Sequence, residues 1–490
     1  MSVGTRKNTA KVAGVEVSTD HYIGGERVAS RERFEVISPM SCEPIAYVSR
    51  GGEEEADRAV RAAKEAFPRW ASLGPEGRGA YMRRLADLID ENVESLAAVE
   101  CEDMAMLLRS LRARVIHRGA RNFRAYAGLA ASYEERDWRS QGTWNRVQRM
   151  PAGPAATITP WNAPFMLSTW KVAPALAAGC TVILKPAEWA PLSASLLADL
   201  TEEAGFPPGV FNVLQGMGEE AGAALVAHPM VRRVSFTGSP ETGRLIGQAA
   251  ARNLVPFTAE MGGKGPLIVF EDADLEAAAR KAAGQYDDAG QVCLAGTRLL
   301  VQRSIAREFL ELFDRFADEH VLGDPRDERT TVSPLIHPDH LKRVEGFVER
   351  ARAEGHEVLR GGRRSEVGPL FYEPTLIHPK SNDAEIVQRE VFGPVLTIQE
   401  FEDEAEAVSL ANSTEYGLSA VIYTSSLGRA DRVGRMVRAG VVWVNTFLVR
   451  DLTAPFGGMG ISGIGREGGD YALDFYSDLK TLQIQEGSTR

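Results

Sequence analysis

Over residues 181–259 short β-branched runs alternate with longer stretches of helical periodicity. TVILK, VFNVL, RRVSF and PFTAE read as strands, with LSASLLADLTEEA, EEAGAALVA and ETGRLIGQAAA as the helices between them. The order β-α-β-α-β-α-β predicts a parallel sheet covered on both faces, with ligands outside the carboxyl ends of its strands. A second series begins at GPLIVFEDADLEAAARKAA and runs through TRLLVQ, the amphipathic REFLELFDRFADEHV, SAVIYTS and GVVWVNT. It predicts a second α/β lobe. Gly262-Gly263-Lys264-Gly265-Pro266 interrupts both periodicities and marks the junction, where a cleft would hold the chemistry.

Two segments fit neither lobe. One is residues 130–150, with the polar, Trp-containing DWRSQGTWNRVQRM; the other is the tail from Tyr471, YALDFYSDLKTLQIQ. The alternation in the tail predicts an exposed strand that needs a partner, because an unpaired edge invites association. Both are read as an oligomerisation element, which makes a homodimer or homotetramer the expectation.

At 490 residues the chain exceeds what one core usually supports, in keeping with two lobes. The longest apolar run, residues 172–184, contains Pro174, Gly179, Cys180 and Thr181 and is too short to span a bilayer. MSVGTRKNTAKVAGVEV has no apolar signal-peptide core, so the expected location is cytoplasmic. A net charge of −11 argues against nucleic acid or an anionic membrane surface as the main partner.

The four cysteines show no CxxC spacing, which fits neither a disulfide framework nor a zinc site, and no metal site is predicted. Cys101, in a helical stretch, and Cys180, between Gly179 and a strand, read as small buried residues; Cys42 lies in a Pro-flanked loop. Cys293, in Gly290-Gln291-Val292-Cys293-Leu294-Ala295-Gly296-Thr297-Arg298, enters a Gly-flanked turn before a strand, a placement that suits a nucleophile. Taken alone it would more often be a core thiol.

Other stretches change that balance. Thr159-Pro160-Trp161-Asn162-Ala163-Pro164-Phe165 closes a strand with an Asn held between Trp and Pro. Thr258-Ala259-Glu260-Met261-Gly262-Gly263-Lys264 sets a carboxylate at the lobe junction, and Gln388-Arg389-Glu390-Val391-Phe392-Gly393-Pro394-Val395 sets another beside an aromatic ring. With Pro455-Phe456-Gly457-Gly458 and Ser462-Gly463-Ile464-Gly465-Arg466-Glu467, these resemble the aldehyde dehydrogenase superfamily, in order and over nearly the whole chain.

The resemblance implies an aldehyde dehydrogenase-like α/β fold. Residues 1–129 and 151–262 would form a Rossmann-type NAD-binding lobe, 263–465 a catalytic lobe, and 130–150 with 466–490 the β oligomerisation element. It implies that Cys293 attacks the aldehyde carbon, hydride leaves to the nicotinamide, and water cleaves the thioester. Glu260 would be the general base, and Asn162 an oxyanion donor beside the Cys293 backbone N–H. Lys185 and Glu188 would hold the adenosine ribose, where a carboxylate repels a 2′-phosphate and favours NAD over NADP. Gly238 and Ser239 would approach the pyrophosphate, although G-S-P-E-T-G is no G-x-G-x-x-G fingerprint. Glu390 and Phe392 resemble the pair that positions the nicotinamide ribose and ring; Thr159 and Trp161 join the cofactor set, with packing between lobes as the alternative for Trp161. Gly460, Gly265 and Asp287-Asp288-Ala289 depart from the family pattern, and none removes a catalytic group.

For substrate, the informative stretch is Trp443-Val444-Asn445-Thr446-Phe447-Leu448-Val449-Arg450-Asp451-Leu452. A guanidinium at Arg450, where many relatives carry an aromatic residue, suits a carboxylate at the far end of a substrate. This pattern resembles the branch acting on 2-hydroxymuconate and 2-aminomuconate semialdehydes. Arg118 best matches that branch's second arginine, with Arg121 and Arg124 assigned to the surface, and Phe456 completes the substrate set. A neutral aldehyde is the main alternative. A silent structural member is the alternative from another class, though Cys293, Asn162 and Glu260 are all present.

Overall fold

The computed structural model describes residues 8–133 and 135–485. Residues 1–7, 134 and 486–490, parts of the predicted nucleotide lobe and oligomerisation element, lie outside the described residues. An eight-stranded sheet has at its centre the parallel strands Phe257–Met261, Arg233–Gly238, Pro154–Ile158, Thr181–Lys185 and Phe211–Val213, in that spatial order. Every residue of Pro154–Ile158 and Thr181–Lys185 is buried, as a sheet covered on both faces requires. The strand order reverses between Pro154–Ile158 and Arg233–Gly238, and sheets of this kind take their ligands in the crevice beyond the carboxyl ends at such a point. Thr159 to Asn162 leave one of those ends, and Ser239 the other.

The helix Pro164–Ala178 crosses from the first of these strands to Thr181–Lys185. It is apolar almost throughout and stops at Gly179, whose φ of 97° is left-handed. Ser239 caps the helix Pro240–Arg252 by accepting the Thr242 N–H at 3.2 Å. Antiparallel strands finish both edges of the sheet: His21–Ile23 and Glu26–Val28 on one side, Gly463–Ile464 on the other.

Residues 262–265 connect the first sheet to a second of seven strands. Its order is Glu357–Arg360, Thr375–His378, Val395–Phe401, Arg298–Gln302, Pro266–Val269, Ser419–Tyr423 and Val441–Val444, all parallel except the first. This is the second α/β lobe that the periodicity predicts.

A third sheet joins Arg136–Ser140, Thr143–Pro151 and Ser477–Gln485, all antiparallel. The tail strand thus finds a partner within its own chain, pairing from Ser477 with Pro151 to Gln485 with Thr143. Leu479, Leu482 and Ile484 remain exposed on it. The stretch taken together from residue 466 divides in two. Gly469–Phe475 is a helix, and Ala472, Leu473 and Tyr476 bury in the first lobe's core at helical spacing. Arg233 clasps the join, donating to the carbonyls of Phe475 and Ser477 and to Asp478. None of the described helices is long and apolar enough to cross a membrane.

Candidate active site

Cys293 is half-buried in the turn before Arg298–Gln302. The chain reaches it through three consecutive left-handed residues, Asp288 (φ 53°), Ala289 (φ 54°) and Gly290 (φ 67°). Two of these are not glycine, a conformation that costs about 1–3 kcal/mol each and persists only where neighbours impose it. Gln291 imposes it here: its N–H donates to the Asp288 carbonyl at 3.1 Å and its Oε1 accepts the Ile336 N–H at 3.0 Å. A Cβ on Gly290 would stand 2.2 Å from the Gly393 carbonyl oxygen. Asn162 reaches this loop from the first lobe and donates Nδ2–H to the Gln291 carbonyl at 3.0 Å. One amide hydrogen is therefore spent on the backbone two residues before Cys293, and the amide carries a second.

Glu260 lies at the carboxyl end of Phe257–Met261 and is buried. Its Oε2 accepts the Gly458 N–H at 3.3 Å, and Oε1 has no hydrogen-bond partner. A Cβ on Gly457 would meet that Oε1 at 2.7 Å, so the glycine leaves it room. Burial, and then the charge of Glu467, hold the Glu260 pKa well above the carboxylate range, with Lys171 opposing. Glu390 accepts the Gly263 N–H at 2.8 Å, and burial raises it to about 7. A Cβ on Gly262 would be 1.8 Å from its Oε2. Burial, Glu390 and Glu260 push the Cys293 thiol up to about 12, against Arg450, which lowers it. Cys293 is thus held as a neutral thiol by burial and by the nearby carboxyl groups of Glu390 and Glu260.

Behind Glu260 runs a buried network that sequence reasoning missed. Lys171 Nζ pairs with Glu467 Oε1 at 2.5 Å and donates to Ser235 Oγ at 3.0 Å, while Trp170 Nε1–H donates to Glu467 Oε2 at 2.6 Å. The available signal was a lysine inside the apolar helix Pro164–Ala178, since a buried charge demands a partner. Phe456 and Glu467 exchange backbone hydrogen bonds, which seats the Phe456 ring beside this network.

Arg118 and Arg450 converge on Trp170. Their guanidinium carbons lie 5.6 and 5.3 Å from its ring centroid, and Arg450 also lies 3.7 Å from the centroid of Phe456. Arg118 donates to Asn122 Oδ1 at 3.0 Å, and burial, then Arg450, lower its pKa to about 10. Neither arginine forms an ion pair among the described residues. Arg121 is exposed, and Arg124 is spent on Asp87 and Asp90.

The predicted cofactor residues flank the crevice. Lys185 Nζ pairs with Glu188 Oε2 at 2.9 Å, and Gly238 and Ser239 lie at the start of Pro240–Arg252. Thr159 is buried, bonded to Ser168 Oγ at 3.1 Å. Trp161 packs edge-on against Phe392 and His340, centroids 5.3 and 5.1 Å away, and tilted against Trp189 at 5.7 Å. It is a packing link between lobes. His340, absent from the sequence reading, has its pKa lowered to about 4 by burial, so it is neutral and donates Nε2–H to the Phe392 carbonyl at 2.7 Å. That bond braces Phe392 in a left-handed conformation, φ 63°.

The profile of the aldehyde dehydrogenase family matches residues 27–482. The chain is 39% identical over 476 residues to the 2-aminomuconic semialdehyde dehydrogenase of Danio rerio, covering 95% of this chain and 98% of that one. It is 42% identical over 462 residues to the 5-carboxymethyl-2-hydroxymuconate semialdehyde dehydrogenase of Escherichia coli, covering 92% and 98%. Among solved structures it is similar to betaine aldehyde dehydrogenase from Staphylococcus aureus in complex with NAD+, with a TM-score of 0.94 and 39% identity over 97% of this chain and 96% of that one. The chain belongs to the aldehyde dehydrogenase family.

Proposed function

We propose that this protein oxidises an aldehyde to a carboxylate through Cys293 with NAD as electron acceptor, and that the aldehyde is a small semialdehyde bearing a carboxylate, such as 2-hydroxymuconate semialdehyde. The observation that carries the substrate reading is the convergence of Arg118 and Arg450 on Trp170 with no ion pair to either among the described residues. A planar guanidinium pair matches a substrate carboxylate bidentately. The similar proteins named for muconic semialdehydes support it.

The residues of the crevice fit a dinucleotide. Glu188 offers acceptors to ribose hydroxyls and disfavours a 2′-phosphate, making NADP the poorer ligand. Ser239 and the N-terminus of Pro240–Arg252 suit a pyrophosphate. Across the junction, a glycine at 262 admits the Glu390 carboxylate, and Phe392 would back the nicotinamide. When bound, NAD supplies the hydride acceptor. Domain roles are assigned as residues 1–129 and 151–262 for cofactor and 263–465 for catalysis, with Gly463–Ile464 returning to the edge of the first sheet. The small sheet is assigned to a homodimer or homotetramer contact in a cytoplasmic enzyme.

Cys293 loses its proton to a neighbouring carboxylate, Glu260 being assigned that role, and its sulfur bonds to the aldehyde carbon. The second amide hydrogen of Asn162 and the Cys293 backbone N–H stabilise the oxyanion, each donor worth about 10²–10³ in rate. Glu260 passes that proton to solvent, and after oxidation to the thioester it is again free to take a proton from water. The hydroxide bonds to the acyl carbon, the C–S bond breaks, and the carboxylate leaves with Cys293 regenerated. The test is a screen of NAD against NADP reduction over acidic and neutral aldehydes. NADH formation with acidic semialdehydes is expected; better turnover of neutral aldehydes would overturn the substrate reading.

A further inference from the structure

We propose that Glu100 and Asp103 are positioning residues, Glu100 holding the loop that carries Asn162 and Asp103 holding the loop that carries Lys185 and Glu188. The proposal rests on the functional reading above for what those loops do. It stands on the geometry of one helix for how they are held.

Glu100 and Asp103 lie one turn apart on the helix Val93–Met104, so both face the same way. Both are fully buried. The two oxygens of Glu100 accept the Phe165 N–H at 3.2 and 3.1 Å, and Asp103 Oδ2 accepts the Leu192 N–H at 2.8 Å. Phe165 lies in the first turn of Pro164–Ala178, and Leu192 begins Leu192–Glu203. First-turn N–H groups have no partner within their own helix. The residues at the cap positions, Ala163 and Pro191, carry no side-chain oxygen and make no capping bond. The missing caps therefore come from a third helix, in positions where a helix dipole favours a carboxylate.

Each capped helix follows a functional loop at close range. Phe165 comes three residues after Asn162, and Leu192 four after Glu188. Fixing the first amide of a helix fixes the chain that enters it, so the oxyanion donor and the ribose-binding pair are referred to one rigid element. Asp103 needs no second buried charge for this. Burial, opposed by the Leu192 N–H and aided by Glu100, holds its pKa well above the carboxylate range, and a protonated acid still accepts an N–H through its carbonyl oxygen.

The experiment compares Glu100→Ala, Glu100→Gln, Asp103→Ala and Asp103→Asn in the full-length protein. Hydrogen exchange is followed over residues 159–165 and 185–192, NAD binding by tryptophan fluorescence, and turnover under NAD saturation. Glu100→Ala should speed exchange chiefly in the first segment, although Glu100 also reaches Ser193 beside the second, and lower kcat about tenfold or more, with NAD affinity within about twofold. Asp103→Ala should speed exchange only in the second and weaken NAD binding about tenfold, with kcat within about twofold. The amide variants, which keep an acceptor oxygen, should recover most of each loss. Equal changes in both segments, or wild-type exchange and kinetics with only a lowered Tm, would overturn the proposal. Exchange is read without turnover: a wild type that oxidises no aldehyde refutes the functional reading while the exchange comparison still decides the positioning.

Discussion

Arg118 and Arg450 share the ring of Trp170, with guanidinium carbons 5.6 and 5.3 Å from one centroid. The Arg450 charge lowers the Arg118 pKa, and both arginines are lowered chiefly by burial. Aromatic faces offset part of that unfavourable charge, and an anion lodged between them would offset more. Glu260 and Glu467 act on Arg450 from behind, but they are engaged with Gly458 and with Lys171.

Arg450→Ala is therefore expected to raise KM for a carboxylate-bearing semialdehyde while leaving a neutral aldehyde nearly unchanged. Losing a charge-assisted bond of about 1.5–3 kcal/mol corresponds to roughly 10–150-fold in kcat/KM. Steady-state kinetics on a matched pair of aldehydes measures this, and equal losses on both would remove the anchor role.

Glu260 sits beside Glu467, which raises its pKa together with burial. A general base works deprotonated, so the acid limb of kcat should lie well above the usual carboxylate range. Glu467→Gln removes the negative neighbour and frees Lys171, and both changes lower the Glu260 pKa. The acid limb should move to lower pH. Breaking the buried pair should also destabilise the fold by about 3–5 kcal/mol, visible as a lower Tm. An acid limb that stays in place or moves up contradicts the assignment.

Cys293 is held as a thiol by burial and by Glu390 and Glu260. Alkylation of the free enzyme by iodoacetamide should be slow at neutral pH and should climb steadily as pH rises toward 10 and beyond. Peptide mass spectrometry resolves Cys293 from Cys101 and Cys180, both buried. Rapid alkylation of Cys293 at pH 6 would contradict the electrostatic account.

Gly262→Ala would bring a Cβ to within 1.8 Å of the Glu390 carboxylate and displace it. Because Glu390 is assigned to the nicotinamide ribose, KM for NAD should rise at least about tenfold. A crystal structure or NAD titration of the variant checks it. Unaltered NAD affinity would take Glu390 out of the cofactor site.

The parallel sheets were legible because buried strands such as TVILK and RLLVQ are continuous β-branched and aliphatic runs between helical stretches. Short strands with weaker signals, among them Gly463–Ile464, returned to the first sheet unannounced. Beyond Tyr471 the period-two alternation of KTLQIQ predicts a strand throughout, whereas tertiary burial of Leu473 and Tyr476 selects a helix over YALDF. Cys293, Glu260 and Asn162 came from motif resemblance, and the fold does bring the loops of Asn162 and Cys293 into contact. Lys171 with Glu467, Arg450 with Trp170 and His340 with Phe392 are pairs distant in sequence, and no local pattern encodes a meeting that only the tertiary fold creates.

The central claim is tested most directly by NADH formation from a short carboxylate-bearing semialdehyde, measured side by side for the wild type and Cys293→Ser. Sustained turnover by the wild type, with release of the carboxylic acid and near-complete loss in the variant, is the predicted result. No NADH from any aldehyde, or undiminished turnover in the variant, would contradict it.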